Sequence, residues 1–211
     1  MKEYKNSNEL LDYIISKGVS VNNKGDALNK IKIYSYYSII NTYKDVFKNI
    51  NNEYKNNVSF DEIYSLFEFD KNLRNIFLKY SLEIELILKS LLAETISLKY
   101  GIKGYLIKEN FDNTVNEATI TESINVIEEE IDKQNGKHEA VTHYIGEYGF
   151  VPPFVLTKIL TLGELSRLYA MLKQPDRQNI SKYFKLSDKV LKQIIVNMTM
   201  IRNICAHNDR L

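Results

Sequence analysis

The sequence predicts an all-α protein, and three observations predict it. Only three prolines and eight glycines punctuate 211 residues, too few to separate many short strands. Apolar residues recur at spacings of three and four over long stretches, the period of a helix face rather than the alternation of a strand. Polar residues open those stretches and glycines close them, as helix termini require.

Taken in order, the first helix is read over residues 8–17, with Leu10, Leu11, Ile14 and Ile15 as its apolar stripe and Gly18 where a left-handed cap belongs. After a short extended piece, VSV, Asp26 precedes ALNKIKIYSYYSIINTYKDVF, one helix or two joined at a bend. KNINNEYKNN is a polar loop. Helix resumes at Ser59, which stands three residues before Glu62, the spacing of a capping box. The longest periodic segment runs over 70–100 and stops at Gly101; Leu73, Ile76, Phe77, Tyr80, Ile84, Ile87, Leu88, Leu91 and Leu92 form its wide stripe. Asp70–Arg74 and Glu85–Lys89 are charge pairs four apart. Arg74 and Glu85, eleven apart, return to nearly the same face, and a buried structural pair that holds this helix against the last one is expected.

Residues 103–119 read as loop, 121–134 as helix, and GKHEAVTHYIGEYGFVPP as a short helix and a turn stiffened by Pro152 and Pro153. FVLTKILTLGELSRLYAMLK is helical with an interruption near Gly163, Pro175 opens another helix, and Ser187 caps the last. The expected organisation is an N-terminal helical region, 1–58, packed on a bundle of 59–211 as one compact unit.

Composition narrows the function. Hydrophobic residues make up 44% of the chain, ample for a core. Net charge is +1, so no global field draws nucleic acid, and any such partner must be held by a local patch. Cys205 is the one cysteine and has no internal partner for a disulfide, which fits a reducing compartment. The N-terminal stretch mixes charge into its apolar positions, unlike a signal peptide. No run approaches the roughly 18 apolar residues of a membrane span. A cytoplasmic protein with no membrane association is expected.

The last helix carries the chemistry. Leu191, Ile194, Met198, Ile201 and Cys205 form one stripe at spacings of three and four. Lys189, Lys192, Val196, Met200, Asn203, His207 and Arg210 form a second line on another side. The helix is thus apolar on two sides, one for its own core and one for another helix or a second copy. Arg202 and His207 are five apart, about 140° around an ideal helix, so they share no face strictly. On spacing alone, this pair fits surface decoration, or a histidine favoured by the dipole at a helix C-terminus.

The string RNICAHNDRL resembles the signature of the HEPN superfamily, in which Arg and a polar residue precede a His; here these are Arg202, Asn203 and His207. It is closer still to the abortive-infection family of AbiD and AbiF-like proteins, in which RN-x-x-AH-x-x-RL closes a helix. ELLDYIISKGVSV, YSYYSIINTY, the 67–101 segment around DKNLRNIF, and THYIGEYGFVPPFVLTKILTLGELSRLYAML also resemble that family, so the likeness covers nearly the whole chain. Phe154 and Lys158 stand where the family often carries Trp and Glu. The resemblance implies an HEPN-like helical bundle with additional N-terminal helices. It also implies phage defence by abortive infection and a metal-independent endoribonuclease that works as a homodimer with two motifs facing one cleft. The family's further association with small non-coding RNAs implies a cognate RNA that restrains or guides activity.

The residue types suit that chemistry. RNA supplies its own nucleophile, the 2′-OH. An imidazole titrating near neutrality suits general acid–base work, and a guanidinium suits crowded phosphoryl oxygens. Asn203 lies four before His207 and can orient the ring or bind phosphate. No metal and no cofactor is required. From Pro175 to Leu211 there are seven Lys or Arg against three acids. This is either a solvated face or an RNA track through Lys189, Lys192 and Arg210. Tyrosines of YSYYSIINTY can pack in the core or stack on unpaired bases.

Other chemistries fit poorly. His138 and His143 lack a cysteine pair or carboxylates at zinc-ligand spacing. Cys205 falls on the core stripe, where a thiol is inert, and GIKG and GEYG match no phosphate-loop pattern. The reading is therefore an abortive-infection ribonuclease toxin; the alternative is a non-catalytic RNA-binding or scaffold protein with the same bundle.

Overall fold

The computed structural model describes residues 4–211, and the elements are helical throughout, as the periodicity predicts. Among the described residues nine α-helices follow one another: α1 (Ser7–Ser16), α2 (Lys24–Tyr34), α3 (Phe60–Tyr100), α4 (Glu117–Gln134), α5 (Glu139–Tyr148), α6 (Pro153–Ile159), α7 (Leu162–Met171), α8 (Gln174–Tyr183) and α9 (Asp188–Ala206). Among the described residues no helix is long and apolar enough to cross a membrane.

Local chemistry sets most of the boundaries. Three capping boxes begin helices. Asn6 and Glu9 bracket α1, Ser59 and Glu62 bracket α3 at 2.8 and 3.2 Å, and Thr161 and Glu164 bracket α7. In each, the capping side chain and the acid three residues on satisfy two backbone N–H groups that helix geometry leaves over. The interruption expected near Gly163 is this Thr161 cap; Gly163 itself lies inside α7. The helix expected from 121 begins four residues earlier, because the Asn116 side chain accepts from the Ala118 amide. The tyrosine-rich segment is broken at Ser35, which takes a left-handed φ of 67°. Its Oγ accepts from the Ser38 amide at 3.1 Å, and a wide turn at Tyr37–Asn41 and a tight one at Lys44–Phe47 follow.

The chain divides into two compact units. The first is the chain through Ile76 together with His207–Leu211. Its core joins Leu11 and Ile14 of α1, Ala27 and Ile31 of α2, Ile39, Ile40 and Tyr43 of the turns, and Phe60, Ile63 and Phe67 of α3. The second unit is Phe77–Ala206. There α9 packs on α7 and α8, and α4 packs on α5, α6 and α7. Leu88, Leu92 and Ile96 of α3 join Leu156, Leu165, Leu168, Leu191 and Ile195 in one buried cluster. Gly104 is needed where the chain leaves α3, since a Cβ there would collide with the Tyr100 side chain.

Candidate functional site

The Ser187 hydroxyl accepts from the Val190 amide at 3.3 Å and starts α9, as its sequence position predicts. The face that α9 buries follows a four–three–four–three rhythm through Leu191, Ile195, Met198, Arg202 and Cys205. The sequence stripe placed Ile194 on this face, but Ile194 is 36% exposed and Ile195 is 1% exposed. The consequence is chemical. Arg202 belongs to the buried line and not to a flank of the exposed one.

On that line the guanidinium meets a carboxylate from α3. Arg202 Nε lies 3.9 Å from Glu85 Oε2, with the side chains 31% and 9% exposed. Neither atom has a hydrogen-bond partner, though both are buried. The other oxygen of Glu85 takes the Lys89 ammonium at 2.9 Å. An ion pair at 3.9 Å without a hydrogen bond fixes the charge while leaving an N–H of the guanidinium unengaged.

The pairing of Arg74 with Glu85 expected from their shared face does not form. Eleven residues of helix separate them by about 16 Å of rise, which angular bookkeeping ignores. Arg74 instead pairs with Asp70, one turn away, and donates to the Tyr43 hydroxyl at 3.2 Å. Tyr43 in turn donates to Asp70 at 2.5 Å. Burial and the Asp70 bond push the Tyr43 hydroxyl above its usual pKa, so it stays protonated and remains a donor.

Asn203 is exposed, and its side chain makes no hydrogen bond among the described residues. The helix ends at Ala206, His207 follows exposed, and Asn208 turns the chain with a left-handed φ of 58°, a conformation that asparagine tolerates. The tail then docks within the first unit. Arg210 donates to the Thr42 carbonyl at 3.1 Å and lies over the Tyr43 ring at 5.5 Å. The Leu211 amide donates to Asp70 at 3.4 Å. Arg210, read from the sequence as part of an RNA track, is thus also an anchor of this tail.

Lys189 and Lys192 line a cleft of about 810 Å³ in the second unit. Its wall is organised by Arg177, which bonds Asp112 at 3.1 Å and Asp188 at 3.4 Å and donates to the Leu172 carbonyl. Charge counting along the sequence placed Arg177 on a basic face; here it holds a loop, α8 and α9 together. Val196 and Met200 are exposed. His143 packs edge-on against Tyr144 at 5.4 Å. Among the described residues no group of three or more His, Cys, Asp or Glu is placed to hold a metal ion.

Two features escaped sequence reasoning: the Glu85 partner of Arg202, and the anchoring of the tail by Asp70 and Tyr43. The first leaves a weak signal, a lone glutamate among the apolar positions of α3. The second leaves none, since Asp70 and Leu211 are 141 residues apart.

Neither a curated protein nor a solved structure matches the chain. A family model described as Abi-like protein matches residues 29–211, which takes in α3 through α9 and the whole RNICAHNDRL string. The chain therefore belongs to the Abi-like protein family, whose role is abortive infection, a defence against phage.

Proposed function

We propose that the protein is a metal-independent endoribonuclease of abortive infection, acting through Arg202, Asn203 and His207. The observation that carries this reading is the contrast at the end of α9. The arginine is fixed against a buried carboxylate while its side chain stays 31% exposed, and Asn203 and His207 are exposed with side chains that bond to nothing else. A helix end built only for packing has no use for that combination.

In the proposed reaction His207 takes the proton of a 2′-OH, and O2′ attacks the adjacent phosphorus. Arg202 balances the charge that builds on the non-bridging oxygens. The P–O5′ bond breaks and the departing oxygen takes a proton from a second imidazole, leaving a 2′,3′-cyclic phosphate and a 5′-OH. One histidine cannot begin as both base and acid, so the second comes from another copy of the chain, with α9 near a two-fold axis.

The test is cleavage of single-stranded RNA with a chelator present. His207→Ala should abolish cleavage and leave the melting temperature unchanged, because an exposed histidine after a helix contributes little to packing. Arg202→Ala should abolish cleavage with a smaller effect on RNA binding. Wild-type protein that binds RNA but leaves it intact would point to the non-catalytic, scaffold-like alternative.

A further inference from the structure

The first unit contains a cavity of about 550 Å³ that the chemistry of the C-terminal motif does not use. It lies where the end of α1, the wide turn at Tyr37–Asn41, the tight turn at Lys44–Phe47 and the following loop come together. Tyr13, Tyr36 and Tyr54 are among its lining residues. Burial, and then the neighbouring phenols of Tyr54 and Tyr13, raise the Tyr36 hydroxyl above its usual pKa. Tyr54 is raised by burial, by Tyr13 and by the Asp45 carboxylate. All three tyrosines line the same cavity, and none of their hydroxyls has a hydrogen-bond partner among the described residues.

Three ammonium groups share the cavity. Lys44 donates to the Asn41 side chain at 3.1 Å and Lys48 to the Asn52 side chain at 2.7 Å. Lys17 stands over the Tyr13 ring at 5.5 Å, as Lys48 does over Tyr54. None of the three has a carboxylate partner among the described residues. The one acidic residue of the lining, Glu53, accepts from Asn49 at 3.3 Å.

Such a cavity offers hydroxyl and ammonium donors beside aromatic faces and holds little negative charge of its own. Its complement is a ligand with a flat ring and an acceptor-rich anion. The volume falls in the range of small-molecule sites, about 300–1,000 Å³. We propose that this cavity binds a nucleoside phosphate, with the base against the tyrosines and the phosphate on Lys44 and Lys48. Tyr13 and Lys17 precede the first residue of the family match, so family membership alone does not predict the pocket. The inference is also independent of cleavage at His207.

Equilibrium binding to the full chain carrying His207→Ala tests it, since that protein keeps the pocket whatever the C-terminal motif does. The probes are adenosine 5′-monophosphate, adenosine, inorganic phosphate and a single-stranded RNA of four nucleotides. Adenosine 5′-monophosphate should bind at least about ten-fold more tightly than adenosine or phosphate alone. Tyr36→Phe, and separately Lys44→Gln with Lys48→Gln, should each weaken it by about ten-fold without moving the melting temperature. RNA binding that is tighter than the mononucleotide and is weakened by the same pocket substitutions identifies the ligand as one unit of a strand; the reverse order identifies a free nucleotide. Both orders support the pocket. No binding of the mononucleotide or of the RNA at millimolar concentration, or binding of both that is indifferent to both sets of substitutions, overturns it.

Discussion

The backbone amide of Leu211 donates to the carboxylate of Asp70, which the side chains of Arg74 and Tyr43 also hold. One buried acid thus gathers α3, the turn at Tyr43 and the C-terminal tail. Asp70→Ala would leave the Arg74 guanidinium buried without its carboxylate. Loss of one partner of a buried pair costs about 3 kcal/mol or more. Urea unfolding should register that loss, and a change below about 1 kcal/mol would show that the cluster is well solvated. Asp70→Asn keeps the shape and should fall between the two.

Lys189 and Lys192 line the cleft beside α9 and carry no ion pair among the described residues. Changing both to Glu should weaken RNA binding. If each touches one phosphate of a single strand, the dependence of log K on log salt should flatten by about 1.4. Unchanged affinity and slope would move the RNA track elsewhere.

Val196 and Met200 are exposed on the face of α9 opposite its buried line. In the dimeric reaction proposed above they meet a second copy. Val196→Glu with Met200→Glu should give a folded monomer that no longer cuts RNA, checked by sedimentation and by cleavage. A wild-type chain that is active as a monomer at working concentration would sink the two-copy site.

Acid should destabilise the second unit through Asp112. Bonds from the Thr114 hydroxyl and amide, and then Arg177, hold its pKa below the usual carboxylate value. A depressed carboxylate contributes stability that is fully present above its unfolded pKa, about 3.9, and is lost as pH falls through the lower folded value. Unfolding midpoints should therefore drop as pH falls below about 4. Asp112→Asn should be less stable than wild type at neutral pH, with the gap closing in that acid window. A gap that persists unchanged at low pH would assign the effect to packing.

What the sequence revealed divides by distance along the chain. Ser59 with Glu62, and Ser187 before α9, were legible because a cap is written within four residues. The break at Ser35 was not, because a serine at positive φ carries no signal of the kind a glycine would give. Arg202, Asn203 and His207 were legible as a string, but not the depth at which each sits. Whether the apolar line of α9 runs through Ile194 or Ile195 depends on what packs against it, and that choice places Arg202 beside Glu85. Arg74 was misassigned because eleven residues return to one face but not to one height.

The short segment that carries His207 has a thermal consequence. Beyond Ala206, Arg210 donates to the Thr42 carbonyl and lies over the Tyr43 ring, and the Leu211 amide donates to Asp70, while Leu211 is 38% exposed. Opening such a segment requires a small fraction of the free energy that holds the helical core. Mild heating would release Arg210 and Leu211, and with them the segment that positions His207, while α1 to α9 remain wound. Loss of the proposed RNA cleavage would then precede the loss of helical ellipticity, and cooling would restore it. In the reaction proposed above, warming by a few degrees would silence cleavage in a chain that is still folded.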